Sequence, residues 1–200
     1  MSIEKMDYRL EYKPIGFGTD PRSKAANQGL AGTFFIPAYQ RGYRWCGDEV
    51  HKLLADIAEA ARNGDEYYSL QPIVVMRRDG GGWEVIDGQQ RLTTLWLIFN
   101  FMHLGGYRRS GAAFCLDYET RPGSRDYLKT LAATQARENI DFFHLRAAHD
   151  AIVQWFDNAA DNEQAREIRF SSCTPICRIR CASSGTRCPP AKRPSRSLPA

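Results

Sequence analysis

The sequence predicts an α+β fold, a small mixed sheet packed with helices, on three observations. Short apolar runs at 33–36, 73–76, 85–86 and 113–118, set between Gly- and Pro-containing turns, have the look of strands. Two other segments space their apolar residues by three and four, the period of a helix with one buried face. Between two of the strand candidates lies Asp79-Gly80-Gly81-Gly82, a turn that makes them a hairpin.

Residues 1–32 read as an N-terminal extension. Asp7–Tyr12 alternates like an edge strand, and 14–32, with several Gly, Pro and Asn, reads as loop with one short helix. Thr33–Ile36 is a strand ended by Pro37. Ala38–Trp45 then interleaves Arg41 and Arg44 with Tyr39, Tyr43 and Trp45. Guanidinium groups there suit phosphates and the rings suit stacking on a base; the alternative is aromatic packing under a loop. Gly47-Asp48-Glu49 opens a helix with Asp48 as its N-cap, a stripe of Val50, Leu53, Leu54, Ile57, Ala58 and Ala61, and a stop at Asn63-Gly64. His51 beside the stripe reads as exposed or satisfied within the core. Tyr67–Leu70 and Ile73–Met76 read as one strand interrupted at Pro72, paired with the strand after Gly82.

The chain is organised around Trp83–Asn100. Val85-Ile86 ends a strand, Asp87-Gly88 turns, and Leu92, Leu95, Trp96, Phe99 and Met102 form a helical stripe. Arg91 lies in the helix's first turn, where the positive dipole makes a cation unfavourable by about 0.3–1 kcal/mol. An anion at the corner reverses that sign, because free N–H groups, a glycine, two amides and a guanidinium converge on it. The other reading has Asp87 cap the helix and pair with Arg91. Further on, Gly105-Gly106 breaks the helix, Ala113–Tyr118 is a strand, and Ser124 caps a helix carrying Tyr127, Leu128 and Leu131. A long helix follows with Phe143, Ala147, Ile152, Trp155 and Phe156 on its apolar side. His144 and His149, five apart on it, do not share a face as two metal ligands would, so no metal site is expected.

Composition bounds the remaining possibilities. At 43% hydrophobic residues the chain builds a real core, and no run of eighteen apolar residues or secretory signal pattern is present, so the expectation is a cytoplasmic protein with no membrane partner. The net charge of +4 comes from residues 171–200, which hold six basic residues and no acidic one; the remainder has 21 basic against 23 acidic residues. A global argument for nucleic-acid binding does not survive that split. The same stretch holds Cys173, Cys177, Cys181 and Cys188, at spacings unlike those of common zinc sites. It reads as a disordered or frame-shifted tail, and the coding DNA around codon 170 decides between the two.

The blocks Phe35–Trp45, Tyr68–Val75 and Asp87–Leu95 together resemble the N-terminal domain of GmrSD-type restriction endonucleases, a family of ParB/sulfiredoxin-like fold. Leu116–Arg121 and Asn139–His144 through Phe156 are similar to later parts of that family. The resemblance covers about residues 30–157, and with the composition it divides the chain into an extension at 1–32, a DGQQR core at 33–110, a helical part of the same domain at 111–170, truncated, and the tail at 171–200. The resemblance implies an NTP-binding, often NTP-hydrolysing, domain of a modification-dependent DNA restriction and anti-phage system, with Mg2+ accompanying the nucleoside triphosphate. DNA is reached through a nuclease domain missing here or carried separately; homodimerisation stays open. By position, Asp87, Gln90 and Arg91 are the expected catalytic residues, and Tyr39, Gln40, Arg41, Gly88, Gln89 and Thr93 the nucleotide-binding ones. Side-chain chemistry puts Arg91 on phosphate and has Asp87 hold a water or metal, or fix Arg91. A phosphate cradle rests on Gly88, because the chain has no P-loop. Sulfiredoxin-type redox chemistry needs a cysteine where this corner has Gln. The alternatives are a ParB-like DNA-binding module using Arg41, Arg44, Arg77 and Arg78, or an inactive truncated product.

Overall fold

The computed structural model describes residues 7–14, 31–63, 67–105, 112, 114–121, 123–158 and 174–183. The expectations for 15–30, for Gly64 and Gly106, and for 171–173 and 184–200 lie outside the described residues. Six strands form one sheet, β1 (Asp7–Pro14), β2 (Gly32–Ile36), β3 (Tyr67–Arg77), β4 (Trp83–Asp87), β5 (Phe114–Tyr118) and β6 (Thr174–Ser183). Their order is β1-β6-β3-β4-β2-β5, which puts β1 on an edge, as its alternating sequence predicts. Within the stretch read from sequence as tail, β6 pairs parallel with β3 and antiparallel with β1. Among the described residues four α-helices accompany the sheet, α1 (Gly47–Arg62), α2 (Gln89–Leu104), α3 (Ser124–Thr130) and α4 (Ile140–Asn158). This is the mixed, α+β architecture that the strand and helix periodicities predict.

Topology places the site. β2 runs parallel to β4 on one side and to β5 on the other, so all three strands end at the same edge of the sheet. The segments leaving them are Pro37–Trp45, the Asp87-Gly88 corner and Glu119–Arg121. Glu119 N donates to Ile36 O (3.1 Å), Ala38 N donates to Glu119 Oε2 (2.7 Å), and Gln40 Nε2 donates to Ile86 O (2.7 Å). In sheets with parallel strands, the carboxyl ends of those strands are where ligands bind.

The core sits between sheet and helices. Phe34, Ile36, Val75, Val85, Phe114 and Leu116 meet Leu54, Leu92, Leu95, Leu145 and Ile152, all buried. α4 packs on both α1 and α2, and His51 Nε2 shares a hydrogen bond with Ala151 O (3.0 Å) across the first of these contacts. α2 departs from its expected pattern. Beyond the predicted stripe, Gln89, Thr93, Thr94, Leu97 and Ile98 are also buried, so it is a central helix covered by sheet and α4. Four local expectations are corrected in the same way. Val50 N bonds Cys46 O and Cys46 N donates to Glu49 Oε2 (2.8 Å), so Cys46, not Asp48, caps α1 through a capping-box contact. Ser124 is buried inside α3, whose N-cap Gly123 has no side-chain bond. At the start of α4 the buried ring is Phe142, stacked on Tyr127 with centroids 4.0 Å apart, whereas Phe143 is 53% exposed. The cap of α4 is Asn139, whose Oδ1 accepts from Phe142 N (2.9 Å). Finally, β3 is continuous from Tyr67 to Arg77, and the expected interruption at Pro72 is a register shift between Leu70 and Ile73, because proline has no N–H for the ladder.

Candidate functional site

At the end of β4, Gly88 takes a left-handed conformation (φ 94°) and α2 begins directly after it, without a side-chain cap. Only glycine adopts that conformation without strain, and a Cβ here would also press on Ile73 Cγ1 at 2.9 Å. Asp87 therefore does not cap the helix. The first-turn N–H groups keep no side-chain acceptor, and the positive end of the helix dipole stays open.

Arg91 lies beside this opening. Its NH1 donates to Gln71 Oε1 (2.7 Å) and its NH2 to Pro72 O (2.6 Å), which fills the backbone acceptor freed at the β3 irregularity. Both acceptors are neutral. The nearest carboxylate, Asp87, stands 3.8 Å away and is 73% exposed, while the arginine side chain is only 17% exposed. Its buried Nε has no partner among the described residues. The guanidinium charge is thus weakly compensated.

The 37–45 segment is tied to the corner by side chains. Gln90 Oε1 accepts from Arg44 N (2.7 Å), while Gln90 Nε2 donates to Gly42 O (2.9 Å) and Gln89 Oε1 (2.8 Å). Tyr39 OH donates to Glu84 Oε1 (3.1 Å) on β4, and partial burial with the nearby carboxylate raises the tyrosine's pKa. Beneath, two hydroxyl pairs pin α2, Tyr43 with Thr94 (2.8 Å) and Thr93 with Tyr118 (2.9 Å). Burial pushes Tyr118 up to about 12, against the opposing pull of its Thr93 bond, so both partners are neutral hydroxyls.

The structure thus gathers Tyr39, Gln40, Asp87, Gly88, Gln90 and Arg91 at one corner. Arg41 is exposed and makes no hydrogen bond or ion pair among the described residues. Thr93 lies apart from them, fully buried one turn into α2 on the side facing Tyr118. Gln89 is buried too, with Oε1 accepting from Gln90 Nε2 (2.8 Å).

Sequence reasoning missed a second cluster. Asp141, buried at the start of α4, forms ion pairs with both Arg44 and Arg121, and Arg44 NH1 also donates to Tyr43 O (2.6 Å). Gly42 makes room for it, because a Cβ there would overlap the Asp141 carboxylate. Arg121 and Asp141 also line a cavity of about 710 Å³ walled by Thr120, Ser124, Asn139 and Phe142. The signal that could have found this cluster is the presence of Arg44, Arg121 and Asp141 in three separate motif-like blocks. Among the described residues no cluster of three or more His, Cys, Asp or Glu suits a metal, Cys46 and Cys115 are free thiols, and no helix is long and apolar enough to cross a membrane.

Fold and geometry together define a class: a mixed-sheet domain whose candidate site lies where three parallel strands end, beside an uncapped helix. The family model of the GmrSD restriction endonuclease N-terminal domain matches residues 23–173, and the chain belongs to that family. No curated protein matches the chain.

Proposed function

We propose that this domain binds a nucleoside triphosphate at the β4–α2 corner, and that binding or turnover of the nucleotide governs DNA cleavage by a nuclease domain of the same restriction system. The observation that carries this reading is the set of unanswered donors at the corner. An uncapped helix start, the unpaired Arg41 and the weakly compensated Arg91 present N–H groups short of acceptors where three loops meet, beside the carboxylates of Glu84, Asp87 and Glu119. Phosphate oxygens are the acceptors such a place lacks.

Roles follow from what each group already does. Arg41 and the N–H groups of α2 are free to meet phosphate. Arg91 supplies charge while its donors hold the corner's shape against β3. Gln90 positions the loop, with Oε1 and Nε2 both engaged. A Mg2+ carried by the phosphates needs one or two protein carboxylates, and the exposed Asp87 suits that need.

The test is titration of the full chain with a fluorescent triphosphate in the presence of Mg2+, with phosphate release measured in parallel. Arg41→Ala is expected to weaken binding by about tenfold with unchanged melting, as loss of a charge-assisted contact does. Equal affinity in wild type and variant overturns the assignment of Arg41. The DNA-binding reading draws on Arg77 and Arg78 as well. Those guanidiniums lie over rings, Arg78 3.9 Å from the Phe35 centroid and Arg77 6.0 Å from that of Trp83. A steep salt dependence of DNA retardation would favour it instead.

A further inference from the structure

We infer that the Arg44–Asp141–Arg121 cluster is a second anion subsite of this domain, with Arg44 and Arg121 as its binding groups and Asp141 as the positioning residue that presents them. The inference deepens the nucleotide reading and rests on it for the identity of the ligand, though not for the presence of the subsite.

Three observations carry it. First, two guanidiniums share one carboxylate, so the cluster keeps one uncompensated positive charge in a place only partly open to water; the arginine side chains are 35% and 24% exposed. An unbalanced set of charges is costly to withdraw from water. Second, the arginines have donors to spare. Asp141 engages NH1 of Arg44 and Nε of Arg121, while Arg121 NH1 makes only a long contact with Thr120 Oγ1 (3.4 Å). A guanidinium offers five N–H donors, so several remain for an oxyanion. Third, the cluster is connected to the corner. The Arg44 backbone N–H donates to Gln90 Oε1, and Arg121 lines the cavity on the other side of Asp141. The cluster therefore bridges the β4–α2 corner and the cavity.

Asp141 earns its positioning role from geometry. Arg44 follows β2, Arg121 follows β5, and neither is held beside the other by the backbone ladder. The shared carboxylate brings them together, and Gly42 is the residue that lets it approach. Of the other carboxylates lining the cavity, Asp126 is already paired with Lys129 (2.8 Å) and Glu138 forms no ion pair with either arginine.

The experiment titrates inorganic tripolyphosphate and Mg2+-nucleoside triphosphate, separately, into the full chain and the variants Arg121→Gln, Asp141→Asn and Asp141→Glu, with melting recorded for each. Arg121→Gln is expected to weaken tripolyphosphate binding by about tenfold. It leaves Asp141 paired with Arg44, so folding is retained. Asp141→Asn is expected to weaken binding although it adds net positive charge, and Asp141→Glu to recover part of it. Simple charge accounting predicts the opposite order, tighter binding in Asp141→Asn. If wild type and Arg121→Gln bind both probes equally, the subsite is overturned and the nucleotide reading stands. Arg121-dependent tripolyphosphate binding without nucleotide binding keeps the subsite and sinks the nucleotide reading. Binding of neither probe by wild type overturns both.

Discussion

The two flanks of the β4–α2 corner hold arginine in opposite ways. On the β3 flank, Arg91 gives its donors to an amide oxygen and a peptide carbonyl, with its one nearby carboxylate out in solvent. On the α4 flank, Arg44 and Arg121 are drawn onto the buried carboxylate of Asp141. The first arrangement fixes a shape and leaves charge over; the second fixes two charges by spending a third. The guanidinium nearest the conspicuous motif is thus the more constrained one, and the freer donors come from segments distant in sequence.

The largest expected effect breaks the α4 flank. Asp141→Ala leaves two facing guanidiniums without their partner and should cost about 3–5 kcal/mol in denaturant unfolding; a loss below about 1 kcal/mol would show the pairs to be incidental. Gly42→Ala attacks the same contact sterically. It should lose about 1–3 kcal/mol, and combining it with Asp141→Ala should cost less than the sum. On the other flank, Arg91→Met should lose about 1.5–3 kcal/mol, since its hydrogen bonds to Gln71 and Pro72 vanish together. Hydrogen exchange should then rise first around the β3 irregularity, and equal protection there would refute the bracing role. Smaller again is Tyr43→Phe, at about 1 kcal/mol, because Thr94 Oγ1 keeps its bond to Gln90 O (3.0 Å).

The smallest effect serves as a control remote from both flanks. Burial, reinforced by the Arg146 charge, lowers the pKa of His149 on α4. Below the ordinary histidine value of about 6.5 the unfolded chain takes up a proton that the folded chain refuses, so stability falls as pH drops from 7 towards 5. Urea midpoints across that window should fall less in His149→Gln. An unchanged slope would assign the dependence to His144, whose pKa burial also lowers.

Much of the fold was legible because its signals are local. The glycine run between β3 and β4, the stripe of α1 and the Asp-Gly corner each act within a few residues. Caps were less legible: at the starts of α1 and α3, Asp48 and Ser124 have the right chemistry one or two places from the true boundary. α2 hid its depth, since Thr93 and Thr94 look polar in sequence but are buried through the hydroxyls of Tyr118 and Tyr43. The corner's residues could be named from the DGQQR block and its family, whereas the acceptors of Arg91 lie twenty residues away and Asp141 lies 97 from Arg44. Pairings at that separation leave no periodic trace; they exist only once β2, β4 and β5 bring their ends to one edge.

The amide of Gln90 does for the 39–45 loop what a neighbouring strand does elsewhere, accepting from one peptide and donating to another. The loop's protection from solvent is therefore borrowed from the first turn of α2. Whenever that turn frays, the Arg44 peptide hydrogen becomes exchangeable, while Gln40 on Ile86 O and Arg44 on Asp141 still hold the loop, so exchange there reports on a turn more than forty residues away.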